Sequence, residues 1–168
     1  ESPEDVAPEY GSGILNLTAQ LIDVGTLVFK GIGRASFTAS GGDIRGNGEL
    51  NIMGNLRLRA AQIYPTTLSD FGIFAYDPPG LKGSITILRD GVAGAPLSAG
   101  GTLRIYASQI DQGGVLLAPF GSISLGYDGL DLDLATATMD LPQNRAVRNA
   151  LPAPLAETVV LQNGSVTS

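Results

Sequence analysis

Apolar and polar residues alternate along segments of the chain that share one pattern. The pattern is Gly-x-Leu-x-[Leu/Ile]-x-Ala-x-x-Ile, and it occurs at Gly13–Ile22, Gly54–Ile63 and Gly101–Ile110. Shorter copies of the alternation lie at 37–39, 85–87 and 123–125. Alternation with a period of two is typical of a β-strand with one buried face. We therefore predict a strand in each of the six segments.

The spacing of these segments indicates a coiled fold. Their first apolar residues lie 22, 19, 29, 18 and 20 positions apart, at Leu15, Phe37, Leu56, Ile85, Leu103 and Ile123. A repeat of about 20 residues is typical of stacked architectures, in which each copy buries its apolar face on the next. We predict an all-β protein, a right-handed parallel β-helix of about six coils, with the hand taken from the crossover rule.

A β-sandwich or barrel is the alternative architecture. It also has turn signals every 8–12 residues or so. It does not explain why equivalent apolar columns return about every 20 residues, as a solenoid repeat does. The β-helix is therefore the preferred prediction.

Composition divides the chain into three predicted parts. Residues 1–12 carry four acidic residues and no basic one, and we predict an extended acidic arm. Residues 13–140 form the β-helix domain, with a loop insert at 69–83 that contains Pro-Pro-Gly. Residues 141–168 form a capping or irregular segment, partly helical, followed by a final strand at 158–161.

Composition and charge exclude several classes of chemistry. The chain has no Cys and no His, so thiolate chemistry, a Ser-His-Asp triad and the usual zinc sites are excluded. Its net charge of -6 argues against nucleic-acid binding, which needs a basic footprint. The sequence contains no run of 18 apolar residues, so no transmembrane helix is predicted. We expect no cofactor and no bound metal.

An arginine cluster is the best binding-site candidate. In a register of about 20 residues, Arg57 and Arg104 share one outward column, and Arg59 and Tyr106 share the next. Stacked coils would hold Arg57 and Arg104 roughly 10 Å apart. Arginine binds carboxylate and sulfate groups through paired hydrogen bonds. We predict a binding patch for an anionic glycan on these four residues; the alternative is an outward face that charge keeps soluble.

Acidic residues in the C-terminal part of the chain are candidates for catalytic or calcium-binding groups. Asp128, Asp131 and Asp133 form the best candidate cluster, and the last two point the same way on a predicted strand. Glycoside hydrolysis needs two carboxylates about 5–10 Å apart, and Ca²⁺ needs six to eight oxygens. No neighbouring coil adds an acid to this column, so we predict a solvated strand face.

The predicted insert at 69–83 concentrates aromatic residues. Phe71, Phe74 and Tyr76 lie in it. Loops on a rigid scaffold often carry function. The insert is therefore a second candidate binding site, unless its aromatic side chains cover a face of the β-helix.

Two stretches of the chain resemble a known family. Together with the repeated coil, Ser108–Ile123, which contains Ala118-Pro119-Phe120-Gly121-Ser122-Ile123, and Val159–Ser168 resemble the filamentous-haemagglutinin-type exoproteins of Gram-negative bacteria. More narrowly, they are similar to a C-terminal domain of uncharacterised function in some of these exoproteins. The resemblance covers roughly residues 13–168.

The resemblance implies a right-handed β-helix, two-partner secretion across the outer membrane, and adhesion at the cell surface. It supplies no catalytic motif. We therefore expect a structural or interaction module of a secreted, surface-associated adhesin, with a host glycan or surface protein as partner. The alternatives are a β-helical carbohydrate-active enzyme and a pure spacer. Unpaired strand edges at the ends of a β-helix also predict weak self-association.

Overall fold

The computed structural model describes residues 7–129 and 151–168, which form three parallel sheets and no helix. Sheet A has six strands, in spatial order β1 (Glu9–Ala19), β4 (Lys30–Ala39), β7 (Asn55–Ala60), β10 (Ser84–Arg89), β12 (Gln109–Gly113) and β15 (Thr158–Leu161). Sheet B has five strands, β2 (Ile22–Val24), β5 (Asp43–Gly46), β8 (Gln62–Pro65), β13 (Val115–Leu116) and β16 (Val166–Thr167). Sheet C has β3 (Leu27–Val28), β6 (Glu49–Met53), β9 (Asp70–Tyr76), β11 (Thr102–Ala107) and β14 (Ser122–Leu125). The predicted all-β class with parallel strands is confirmed.

The chain passes through the sheets in the order A, B, C and then returns to A one strand further along. The fourth passage differs, because residues 90–101 connect β10 to β11 without a strand of sheet B. The next strand of that sheet, β13, pairs directly with β8, and Leu116 lies opposite Ile63. The arrangement is β-helix-like, with one strand left out.

Apolar side chains between the sheets form the core. In sheet A, Ala35, Leu56, Ile85 and Ile110 stack in one inward column, and all four are buried. Burial of such side chains stabilises the fold by about 1.5–3 kcal/mol for each large one. The stacking of like residues follows from the parallel register, which repeats the same inward positions in every layer.

Two of the predicted column members belong to another sheet. Leu103 pairs with Phe71 and Ile123 in sheet C, and not with Leu56. The inward alternation is the same in all three sheets, so the pattern alone did not distinguish them. The predicted pairing of the Leu56 strand with the Ile85 strand is present.

The prediction of a loop insert at 69–83 is wrong for about half of that range. Asp70–Tyr76 is strand β9, and Phe71, Phe74 and Tyr76 are buried. Only residues 77–83 form a loop, and the long irregular segment is 90–101. Phe71 faces the core, so the aromatic residues cover the β-structure and are not displayed on a loop.

A second apolar cluster lies on the outward face of sheet C. The rings of Phe74, Tyr106 and Tyr127 follow one another, with centroids 5.5 and 5.4 Å apart. Leu151 and Ala153 pack against this cluster from outside. The chain segment that leads into β15 therefore covers this face.

Several predictions fall on residues outside the described ranges. These are the strand at 130–134 with Asp131 and Asp133, the helical turns within 143–150, and the first six residues of the acidic arm. The remainder of that arm differs from the prediction, because β1 begins at Glu9.

Candidate functional site

The outward face of sheet A, the sheet with the most strands, is called here the sheet A face. Side chains that alternate with the core point outward from its strands and stand in aligned rows. The first row is Ile14, Arg34, Asn55, Ser84, Gln109 and Thr158. The second is Asn16, Ser36, Arg57, Thr86, Asp111 and Val160, and the third contains Thr18, Thr38, Arg59 and Leu88.

Two arginines are neighbours on this face. Arg34 on β4 lies opposite Asn55, and Ser36 lies opposite Arg57, so the two arginines are diagonal partners on adjacent strands. Diagonal positions of this kind are about 7–8 Å apart. Both side chains are exposed, and neither forms an ion pair within the described part of the chain. Their guanidinium groups can therefore bind an external anion.

The other cations of sheet A already have partners. Arg59 forms an ion pair with Asp90 at 2.9 Å, and Lys30 forms one with Glu9 at 3.2 Å. Arg89 donates a hydrogen bond from Nε to the carbonyl oxygen of Gly91 at 3.1 Å. These contacts hold the three side chains at the margins of the face. Arg59, a predicted binding residue, is exposed but paired.

The structure corrects the predicted position of Arg104 and Tyr106. Both lie on β11 in sheet C, so Arg57 and Arg104 do not share a column. Arg104 is 7% exposed and Tyr106 is 5% exposed. The Tyr106 hydroxyl donates to Ser124 Oγ at 3.1 Å, inside the aromatic cluster. Neither residue is available on the surface beside Arg57.

Shallow cavities run along the sheet A face. One, of about 340 Å³, has Asn16, Ser36, Arg57 and Thr86 among its lining residues. A second, of about 400 Å³, begins at Arg34 and Asn55 and extends past Tyr10 and Lys82 over a floor of Gly11, Gly13, Gly33 and Gly54. Added Cβ atoms on these glycines would overlap the neighbouring layer, so their first explanation is close stacking of the backbone. The cavities share Arg34 and Asn55, so together they form a continuous, open channel with both polar and apolar walls.

Two carboxylates converge at another place, beside the outer cluster of sheet C. Asp77 and Glu157 both form ion pairs with Lys82, and the Asp77–Lys82 distance is 3.4 Å. These three residues help to line a cavity of about 350 Å³ with mainly apolar walls. A pair of carboxylates beside a cavity is the arrangement that a glycosidase requires.

The surroundings of Asp77 favour an anchoring role. Its Oδ1 accepts hydrogen bonds from Ser108 Oγ at 2.6 Å and from the Gly83 backbone N–H at 2.8 Å. Burial by itself would raise the pKa of Asp77, but these hydrogen bonds and Lys82 outweigh it and lower that pKa below its ordinary value. A general acid needs a raised pKa, so Asp77 is poorly suited to protonate a leaving group.

No group of three or more Asp or Glu side chains that could hold a metal ion occurs within residues 7–129 and 151–168. Asp128 lies at the end of the first of these ranges, and the other two members of the predicted acidic cluster lie outside it. The same ranges contain no helix of the length and apolarity needed to cross a membrane.

Arg34 is the residue that the sequence analysis missed. Its signal was the glycine before it: aligning Gly33-Arg34 with Gly54-Asn55 puts Arg34 in the row of Asn55, as the structure has it. Aligning the copies on their first apolar residue matched Phe37 to Leu56, whereas Phe37 pairs with Leu58. Because of this misalignment by two residues, Arg34 was not placed in the same row as Asn55.

Comparison of the chain with protein-family models, curated proteins and solved structures found no match. The fold and the site therefore define a class only: an all-β protein of coiled parallel sheets with an open polar face.

Proposed function

We propose that the chain is a non-catalytic interaction module that binds an anionic glycan along the sheet A face. The observation that carries the proposal is the pair Arg34 and Arg57, two exposed and unpaired guanidinium groups that line one open channel. Arginine binds sulfate and carboxylate groups through two parallel hydrogen bonds. A spacing of about 7–8 Å across the strands suits two charges on one extended polysaccharide.

The protein as a whole is acidic, so the proposed site depends on local charge. With a net charge of -6, the surface repels polyanions at long range. Retention by Arg34 and Arg57 must then come from short-range contacts and must weaken with added salt, since exposed ion pairs are screened. Neighbouring hydroxyl and amide groups, such as Ser36 and Asn55, would add hydrogen bonds to sugar hydroxyls.

We also propose the finer architecture and its setting. The order of strands suits a right-handed parallel β-helix of six turns, with the hand taken from the crossover rule. The resemblance to filamentous-haemagglutinin-type exoproteins suggests a secreted segment on the surface of a Gram-negative bacterium. In that setting, the coils hold the sheet A face rigid and display it to a host glycan.

A glycan array with sulfated, carboxylated and neutral sugars tests the proposed function. We expect retention of anionic glycans, and we expect Arg34→Ser with Arg57→Ser to reduce it at least tenfold. Arg45→Ser, which removes a charge from sheet B where Arg45 contacts Asp23 at 2.8 Å, is the control. Equal loss in the control would show a general charge effect, and retention of no glycan would favour a spacer.

A further inference from the structure

One corner of the fold exposes bulky apolar side chains on strained backbone. Leu68, with φ 53°, and Phe120, with φ 55°, are the two residues other than glycine that have positive φ in the described ranges. Bulky side chains are rare in this conformation because Cβ approaches the carbonyl oxygen. Leu68 is 82% exposed and Phe120 is 97% exposed. The two side chains therefore make almost no contact with the rest of the protein.

The two residues occupy equivalent places in stacked turns. Leu68 lies between β8 and β9, and Phe120 lies between β13 and β14, each at the corner from sheet B to sheet C. Gly100, with φ 69°, takes the same place before β11, between them. The backbone links the three, because Leu68 N–H donates to Ala99 O at 3.0 Å and Gly100 N–H donates to Pro119 O at 2.8 Å.

Gly100 makes room for the Leu68 side chain. A Cβ on Gly100 would lie 2.9 Å from Cδ2 of Leu68, so the Leu68 side chain lies beside this glycine of the next layer. We call Leu68, Gly100 and Phe120 the apolar ridge. Glycine at this place shows that the corner accepts the residue without strain, so the exposed Leu and Phe are not needed to form the turn.

We propose that the apolar ridge inserts into the interface of a zwitterionic lipid layer. Its area is a few hundred Å² at most, well below the roughly 800 Å² per partner of a specific protein interface. Two highly exposed apolar side chains suit the boundary between headgroups and acyl chains, where apolar groups insert by about 5–10 Å.

Charge around the apolar ridge selects the headgroup. Within four residues of its members along the chain, the charged residues are Asp70, which is exposed, and Arg104, which is buried. The rim is instead hydroxylated; the Thr66 and Ser69 hydroxyl groups, for example, lie 2.8 Å apart. Within these stretches of the sequence no exposed cation is available for an anionic headgroup, and the net charge of the chain is -6. Phosphatidylcholine therefore fits better than an anionic lipid.

Sedimentation of the full chain with phosphatidylcholine vesicles tests the proposal. We expect weak binding that Leu68→Gly and Phe120→Gly each reduce about tenfold, since burial of either side chain is worth at least that in partitioning. Glycine should leave the melting temperature unchanged or higher, because it relieves the positive-φ strain. Loss of binding could then not be attributed to unfolding.

Controls separate the apolar ridge from general stickiness and from the arginine pair. Leu81→Ser removes another exposed leucine, on the loop 77–83, and should leave binding unchanged. No sedimentation with phosphatidylcholine, or binding that survives the double glycine variant, would overturn the proposal. Binding only when phosphatidylglycerol is added, and its loss in Arg34→Ser with Arg57→Ser, would overturn it in favour of the sheet A face.

Discussion

At the residue scale, close stacking of the backbone depends on single glycines. A Cβ on Gly42 would overlap the carbonyl oxygen of Gln20 in the layer beneath, whereas a Cβ on Gly25 would meet nothing within 4 Å. The Gly42 carbonyl also accepts the Ala61 N–H of the next layer at 2.7 Å. Gly42 is thus held between two layers.

We predict that Gly42→Ala destabilises the protein by about 1–3 kcal/mol, the range of overpacking in a tight site. Gly25→Ala should change stability by less than about 0.5 kcal/mol, as surface substitutions do. Urea denaturation of both variants measures the difference. Equal midpoints would contradict the stacking described for Gly42.

Asp77 makes stability depend on pH in a direction that follows from its contacts. Its pKa is lower in the folded protein than in the unfolded chain, so ionised Asp77 stabilises the fold above the unfolded pKa, about 3.9. That contribution is lost as the pH falls through the lower, folded pKa. We predict that Asp77→Asn destabilises at pH 7 and that its deficit against the wild type shrinks toward pH 2.

Denaturant unfolding at several pH values measures this deficit. Ser108→Ala is the companion variant, because it removes the shortest hydrogen bond to the Asp77 carboxylate while leaving the charge. It should reduce the pH dependence without abolishing it. A deficit for Asp77→Asn that stays constant from pH 7 to pH 2 would contradict the assigned contacts.

At the scale of elements, strand β9 shows how much the packing of one strand contributes to the stability of the fold. Phe71 is fully buried, and its ring lies where a Cβ of Gly46 would be. We predict that Phe71→Ala costs about 3–5 kcal/mol, as for other buried aromatic residues. Phe120→Ala, at an exposed site, should cost less than about 0.5 kcal/mol. Thermal and urea unfolding of the two variants measures their free energies of unfolding. Equal losses of stability in Phe71→Ala and Phe120→Ala would contradict the burial of β9.

The same strand shows how far the sequence predicts the fold. Alternation was sufficient to predict that Leu56 and Ile85 point inward, because the period of two belongs to each strand alone. Sheet membership was not predictable, since Leu103 and Leu56 have the same local pattern in different sheets. Strand β9 was missed because its outward Phe74 is buried by a segment distant in sequence, which hides the alternation.

The part of the candidate site that could be predicted also depends on the alternation within a single strand. Arg57 and Arg59 lie on the sheet A face as outward residues of one strand, a local property. Arg104 and Tyr106 were assigned to it because their strand has the same local pattern as the Leu56 strand, although it lies in sheet C. Arg34 was missed because Phe37 was aligned with Leu56, whereas Ala35 is the residue that pairs with Leu56.

At the scale of the whole molecule, the outermost strands of sheet A, β1 and β15, each have one edge without a partner strand among residues 7–129 and 151–168. At the end of sheet A, Val159 and Leu161 continue the inward columns of Ile110 and Gln112, yet they are exposed. At the other end, Leu17 on β1 is inward and exposed. Parallel edges with apolar inward residues can pair with a second copy, head to tail.

We predict weak, open-ended association that rises with concentration. Val159→Asp with Leu161→Asp should abolish it, because the charges would be buried at the contact. Leu155→Asp, exposed and away from the strand edge, is the control. Sedimentation velocity measures the change; a strict monomer at every concentration would contradict open ends.

The strand absent from sheet B between β10 and β11 has a counterpart in the physics of crystals. A layer that exists on one side of a lattice and stops inside it is an edge dislocation, and the planes around it tilt to close the gap. Here the gap is one strand spacing, about 4.8 Å. A longer fibre with such defects on one side would curve toward that side, and defects spread around the axis would cancel. The curvature of the fibre would then be set by where strands are left out.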